Sequence, residues 1–154
     1  EIMFGFSKRS RLSHRLEKFC ICDGVTYIND SKSTNSDSTL NALESIEKNV
    51  ILIMGGDNKQ ISYDSLKNII NDKVKLLVLI GDNREYIKNQ LSPNVDTILF
   101  TNLKKATDYI FATIEPNHTV LLSPGSSSFS LYKDFEHRGN DFKNLVNEHV
   151  NKKT

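Results

Sequence analysis

Val50–Ile51–Leu52–Ile53–Met54 is a short, unbroken apolar run. A run of this kind suits a strand covered on both faces, as in a parallel sheet flanked by helices. The surrounding sequence alternates in the same sense. Leu16–Cys22 and Val25–Asn29 flank Asp23–Gly24, a pair typical of two-residue hairpin turns. A helix is predicted from about Ser36 to Lys48, where Leu40, Leu43 and Ile46 form one apolar stripe. Tyr63–Asn71 then reads as helix, Lys75–Ile80 as strand, Arg84–Leu91 as helix and Thr97–Phe100 as strand. Leu103–Ile114 reads as helix, Thr119–Leu122 as strand, and a closing helix is expected from about Ser128 to Val150. The expected fold is α/β and Rossmann-like: a mostly parallel sheet, helices on both faces, and an antiparallel hairpin at an edge.

Composition narrows the class of function. A chain of 154 residues, 38% apolar and 25% charged, fits one soluble domain. Its net charge of +1 gives no broad footprint for nucleic acid or an anionic membrane. The one dense basic patch, Lys8–Arg9–Ser10–Arg11, reads as a solvated terminal segment. No apolar run approaches the roughly 20 residues that span a bilayer. The opening Glu1–Ile2–Met3–Phe4–Gly5 is neither a signal peptide nor a normal initiation site. Residues 1–12 are therefore expected to be a linker or junction to an upstream domain. Cys20 and Cys22 share a strand face and lack the further ligands of a zinc site, so buried thiols in a reducing cytoplasm are expected, with no metal.

In open sheets of this type, ligands collect beyond the carboxyl ends of the strands. Three polar clusters stand at such ends. The first is Asn29–Asp30–Ser31–Lys32–Ser33–Thr34–Asn35, which either binds an anion at a helix N-terminus or serves as a polar loop and cap. The second is Gly55–Gly56–Asp57–Asn58–Lys59. Its glycines permit a sharp turn or a close approach, and Lys59 could meet a carboxylate or phosphate. It is not a P-loop, and alone it reads more simply as a turn. The third is Ser123–Pro124–Gly125–Ser126–Ser127–Ser128, a candidate nest for an oxyanion. A serine hydrolase would need G-x-S-x-G, which Gly125–Ser126–Ser127–Ser128–Phe129 does not supply.

Taken together, the clusters resemble the D-glutamate-adding Mur ligase family, from about Ser13 to Val150. The matching pieces are Ser13–His14–Arg15–Leu16–Glu17, the three clusters above, and the continuation through Lys133, Phe135–Glu136 and Arg138–Gly139–Asn140. Sister Mur ligases and folylpolyglutamate synthases resemble the same fold but carry another motif at the first strand end. The resemblance implies that residues 13–154 form a C-terminal, amino-acid-binding domain. The other two domains of the family's complete enzyme hold the UDP-sugar substrate and carry the P-loop with magnesium.

By position, the resemblance assigns D-glutamate to Thr34, Lys59, Ser128 and Phe135, the last through its backbone. Arg15 and Asp30 match residues that meet the nucleotide, and Lys32 sits where it could face the phosphates. His14, Asn35, Asp57 and Arg138 are implied in supporting roles. The implied reaction is ATP-dependent amide formation in peptidoglycan precursor synthesis. The carboxylate of UDP-N-acetylmuramoyl-L-alanine is phosphorylated, and the amine of D-glutamate attacks the acyl phosphate. With no P-loop lysine, the chain is expected to bind but not catalyse alone, as a cytoplasmic monomer. Where the family often has Ala and Cys in the third cluster, this chain has Gly125–Ser126–Ser127, and Ser130 stands where an acidic residue is common. The competing expectation is a stand-alone Rossmann-like module that binds an amino acid or nucleotide without catalysis.

Overall fold

Seven strands form one sheet in the computed structural model, which describes residues 2–4, 13–59 and 61–153. In chain order the strands are β1 (Ile2–Phe4), β2 (Glu17–Cys22), β3 (Val25–Asn29), β4 (Val50–Gly56), β5 (Val74–Gly81), β6 (Asp96–Leu99) and β7 (His118–Leu122). The helices are α1 (Ser36–Glu44), α2 (Lys67–Lys73), α3 (Arg84–Leu91), α4 (Leu103–Thr113) and α5 (Phe135–Lys152). The sheet order is β1-β2-β3-β7-β4-β5-β6. β1 and β2, and β2 and β3, pair antiparallel, and every other neighbouring pair is parallel. The expected hairpin is present, but β1 lies outside it, so β2 is not the sheet's edge. Of the expected junction at 1–12, Ile2–Phe4 is this added strand; the other residues, including the Lys8–Arg11 patch, lie outside the described residues.

β4 shows why the central run carries no polar residue. Ile51 and Ile53 face a cluster built with Leu103, Ala106 and Ile110 of α4 and Phe142, Val146 and Val150 of α5. Val50, Leu52 and Met54 face the opposite cluster, with Ala42 and Leu43 of α1, Ile70 of α2, and Ile87 and Leu91 of α3. Period-two alternation thus feeds two apolar layers. A bulge between Lys18 and Cys20 turns the consecutive Phe19 and Cys20 into the same cluster as Cys22. The two thiols are free and buried, and burial pushes that of Cys20 up to about 11.

Three predicted helix boundaries are corrected. The helix expected over Tyr63–Asn71 is a 3-10 turn at Asp64–Leu66 followed by α2 from Lys67 to Lys73. α1 stops at Glu44 rather than Lys48, because Lys73 Nζ takes the carbonyls of Leu43 and Ile46, each at 2.7 Å. The closing helix starts at Phe135 rather than Ser128. The intervening backbone is spent elsewhere: Phe129 N and Ser130 N donate to the Asp57 carboxylate at 2.8 and 2.6 Å, and Tyr132 N turns back to Ser128 O at 2.7 Å. The Asp134 side chain then caps α5 by accepting from His137 N at 2.8 Å.

The connections fix where a ligand can enter. After β3 and β4 the chain passes to the face of α1, α2 and α3, whereas after β7, which lies between them, it passes to the face of α5. Loops leaving neighbouring strands in opposite directions open a crevice at the strands' carboxyl ends.

Candidate functional site

All three polar clusters meet at that crevice, and backbone hydrogen bonds join them. Gly125 N donates to Ser33 O, Gly55 N to Pro124 O and Asp57 N to Ser127 O, each at 2.9 Å. The glycine pair is required here by space. A Cβ on Gly56 would lie 2.3 Å from Ser127 O, and one on Gly55, whose φ is +116°, would lie 2.0 Å from Ile80 O. Close approach is therefore the reason for the Gly-Gly sequence.

The first loop is organised from within. Asp30 is 1% exposed. Its Oδ1 accepts from Leu16 N at 3.0 Å, and its Oδ2 accepts from Ser33 Oγ and from Ser123 Oγ, the latter at 2.7 Å. Burial raises its pKa, and these hydrogen bonds pull the other way. Asn29 closes the other side: Nδ2 donates to His14 Nδ1 at 2.8 Å and Glu17 Oε1 at 3.0 Å, while Oδ1 accepts from Ser31 N at 3.1 Å. His14 Nδ1 therefore acts as an acceptor, which leaves the proton of the neutral ring on Nε2. Its pKa is lowered by burial and by Lys143. Gly139 makes room for this ring, since a Cβ there would lie 2.1 Å from Nδ1.

Arg138 is the central tie. It is 1% exposed and donates through Nε to Ser31 Oγ at 2.8 Å, through Nη2 to Ser31 O at 2.7 Å, and through Nη1 to Ser126 O at 2.9 Å. Ser31 Oγ in turn donates to Phe135 O at 2.7 Å. One guanidinium thus joins the first loop, the third loop and the start of α5. Burial lowers its pKa to about 10, so it stays charged near neutral pH.

The residues expected to touch ligand fall into two groups. Thr34, Lys59 and Arg15 are exposed, Lys32 and Phe135 are half-buried, and Ser128 is buried. Thr34 follows Ser33, which is bonded to the third loop, and Lys59 N donates to Asp57 O at 2.9 Å. Lys32 Nζ lies 5.8 Å from the centre of the Phe135 ring. Asp30, His14 and Arg138 are instead inside the loops they stabilise, and Asn35 caps α1 by accepting from Ser38 N at 2.9 Å. Asp57, half-buried, holds the 129–130 backbone; burial pushes its pKa up, but hydrogen bonds from the Ser130 side chain and from the Ser130 and Phe129 backbone outweigh it and leave the pKa lowered. Sequence reasoning missed Tyr63 and Asn83, which bond Ser126 Oγ at 2.9 and 2.8 Å. Asn83 follows β5, so the strand-end rule applied to Gly81–Asp82–Asn83 would have found it.

Comparison with known proteins supplies the family. The sequence model of the Mur ligase glutamate ligase domain matches residues 14–125. The chain belongs to this family. The Mur ligase domain is 39% identical over 136 residues to the UDP-N-acetylmuramoylalanine–D-glutamate ligase of Christiangramia forsetii, covering 88% of the chain and 31% of that protein. It is 40% identical over 139 residues to the ligase of the same name from Chlorobium phaeobacteroides, covering 90% of the chain and 30% of that protein. The domain therefore spans less than a third of the length of these relatives. Its fold is also that of part of a MurF ligase from Thermotoga maritima solved in complex with ADP. That match has a TM-score of 0.61 and 12% identity, and covers 93% of this chain and 32% of the other. Among the described residues, no helix is long and apolar enough to cross a membrane.

Proposed function

We propose that this chain is the amino-acid-binding domain of an ATP-dependent ligase that adds D-glutamate to UDP-N-acetylmuramoyl-L-alanine. The observation that carries the reading is the joining of three strand-end loops at one crevice, with Thr34, Lys59 and Ser128 each on a different loop. D-glutamate offers two carboxylates to such a rim. In this reading Lys59 neutralises one carboxylate, and the hydroxyls of Thr34 and Ser128 orient the molecule with the Phe135 backbone. Arg15 and Lys32 face the nucleotide, and Asp30 serves that side by shaping the loop that carries Lys32, since its oxygens are bonded inward.

The domain's chemical share is position. Holding the amine beside an acyl phosphate replaces a bimolecular encounter with an oriented one, worth roughly 7–11 kcal/mol in favourable cases. Closure over ATP would exclude water from the acyl phosphate. ATP, the magnesium that accompanies it and the UDP-linked substrate are assigned to the rest of the ligase, and the chain alone is assigned no turnover. Among the described residues no group of three His, Cys, Asp or Glu side chains could hold a metal ion. The test is an NMR titration of the labelled chain with D-glutamate, L-glutamate and ATP in turn. D-glutamate is expected to move the amides of Thr34, Lys59 and Ser128 with saturation, more strongly than L-glutamate. Shifts produced by ATP alone, with Lys59 and Ser128 silent, would replace this reading with a stand-alone nucleotide-binding module.

A further inference from the structure

Beneath the rim runs a second set of buried polar groups to which the functional reading gives no part. Tyr63 is fully buried, Asn83 is 1% exposed and Ser126 is 3% exposed. Asn83 Oδ1 accepts from Gly56 N at 2.8 Å, and Asn83 Nδ2 lies 2.8 Å from Ser126 Oγ. Tyr63 OH lies 2.9 Å from both Ser126 Oγ and Gly125 O.

The direction of every bond in this set follows from its two ends. A backbone N–H can only donate, so Gly56 must face the amide oxygen of Asn83, and the amide nitrogen must face Ser126. A carbonyl can only accept, so the tyrosine proton goes to Gly125 O. Ser126 Oγ then accepts from Asn83 and gives its own proton to Tyr63 OH. The result is a one-way relay: Gly56 N–H to Asn83, Asn83 to Ser126, Ser126 to Tyr63, Tyr63 to Gly125 O, with a longer donation from Asn83 Nδ2 straight to Tyr63 OH at 3.4 Å. It starts on the loop that leads to Lys59 and ends on the loop that leads to Ser128. Arg138 holds the Ser126 carbonyl, so Ser126 is fixed at both its backbone and its hydroxyl.

We propose that Tyr63 and Asn83 are positioning residues that set the spacing between the Lys59 loop and the Ser128 loop. Through that spacing they determine how firmly the rim grips the carboxylates of an amino acid. The ligand half of this proposal rests on the D-glutamate reading; the coupling of the loops does not. Deleting one phenolic oxygen by Tyr63→Phe keeps the ring and its edge contact with Tyr86. It frees Gly125 O and removes the acceptor of the Ser126 proton.

The test compares the unsubstituted chain with Tyr63→Phe, Asn83→Asp and the control Ile110→Val. The control loosens the apolar cluster on the α4 face without reaching the rim. In Tyr63→Phe and Asn83→Asp, the amides of Gly56, Lys59 and Ser128 are expected to shift in the free chain, and Kd for D-glutamate is expected to rise about fivefold or more. The control is expected to lower the unfolding midpoint while leaving those amides and Kd unchanged. Lys59 and Ser128 amides that stay in place in Tyr63→Phe would overturn the coupling, whatever D-glutamate does. Moved amides with Kd within about twofold of the original would overturn the grip on ligand. An unsubstituted chain with no saturable D-glutamate binding would overturn the ligand reading and, with it, the ligand half of the proposal.

Discussion

The two ends of the same strands are built on different principles. At the amino ends, Asp23, Asn49 and Asn117 turn the chain with φ of +52°, +69° and +67°, and Gly24 does so at +79°. Backbone bonds link these turns, such as Asn117 N to Gly24 O at 2.9 Å and Thr119 N to Asn49 O at 3.0 Å, and Lys153 Nζ donates to the exposed Asp23 carboxylate at 3.0 Å. At the carboxyl ends, Asp30, Ser33, Asn83, Ser123, Ser126 and Arg138 are buried and bonded largely to one another. A buried polar group left unpaired costs about 1–3 kcal/mol, so this end depends on every member being in place. Turning a chain does not require such a network. The amino end is a set of turns tied by single, mostly exposed bonds; the carboxyl end is one buried polar network that spans three loops.

The largest test of that contrast is Arg138→Met. The apolar chain fills similar space but leaves Ser31 O, Ser31 Oγ and Ser126 O without the donor they share. A loss of about 3 kcal/mol or more in unfolding free energy is expected from denaturant titration. A loss below about 1 kcal/mol would show that water replaces the guanidinium and that the loops do not act as one unit.

Much of this was legible in the sequence, and the remainder was not, for separable reasons. The strands showed because β4 has to be apolar on both faces, and the three clusters showed because they are contiguous in the chain. The hairpin was readable from Asp23–Gly24. The late start of α5 was not, since residues 128–134 have no helix-breaking sequence of their own; a carboxylate from a distant loop, Asp57, holds the 129–130 backbone in its turn. Tyr63 and Asn83 were hidden for the same reason. Each lies next to an ordinary helix signal, and their role depends on Ser126, 63 and 43 positions further along the chain. The burial of Asp30 was not legible either, because a polar loop residue carries no mark of whether it points outward or inward.

Acidification tests the His14 corner of the carboxyl end, with an effect of intermediate size. His14 has a lowered pKa through burial and Lys143, against an ordinary value of 6.5. As pH falls below that value, the unfolded chain gains a proton that the folded ring refuses, so stability present above 6.5 is lost on the way down to the folded pKa. Glu17 adds a second loss below its ordinary 4.5. Burial opposes its charge, but Lys143 at 3.0 Å and bonds from His14 N and Asn29 outweigh burial and hold its pKa down. Asp30 works in the opposite sense from 3.8 upward, because its pKa is raised. His14 shares the window just below 6.5 with His149, whose pKa is also lowered, by burial and by Lys153, so the part due to His14 is read by difference. Denaturant unfolding at about pH 7 and about pH 5 should show a smaller loss in His14→Gln, whose side-chain oxygen can still accept from Asn29, than in the original chain. Equal losses in the two proteins would remove His14 from the rim's network.

The smallest effect is expected at the amino end. Asn117 is exposed and holds φ of +67°, a region that asparagine tolerates and glycine enters without steric cost. Asn117→Gly relieves that cost in the folded chain while giving the unfolded chain more freedom to lose, and the two terms oppose each other. The bond it makes to Gly24 O uses backbone N–H, which the substitution keeps. The net change in unfolding free energy is expected to stay within about 0.5 kcal/mol, with no movement of the Lys59 or Ser128 amides. A larger loss, or a shift at either of those amides, would mean that the turns share the coupling of the opposite rim, and the division between the two ends of the sheet would not hold.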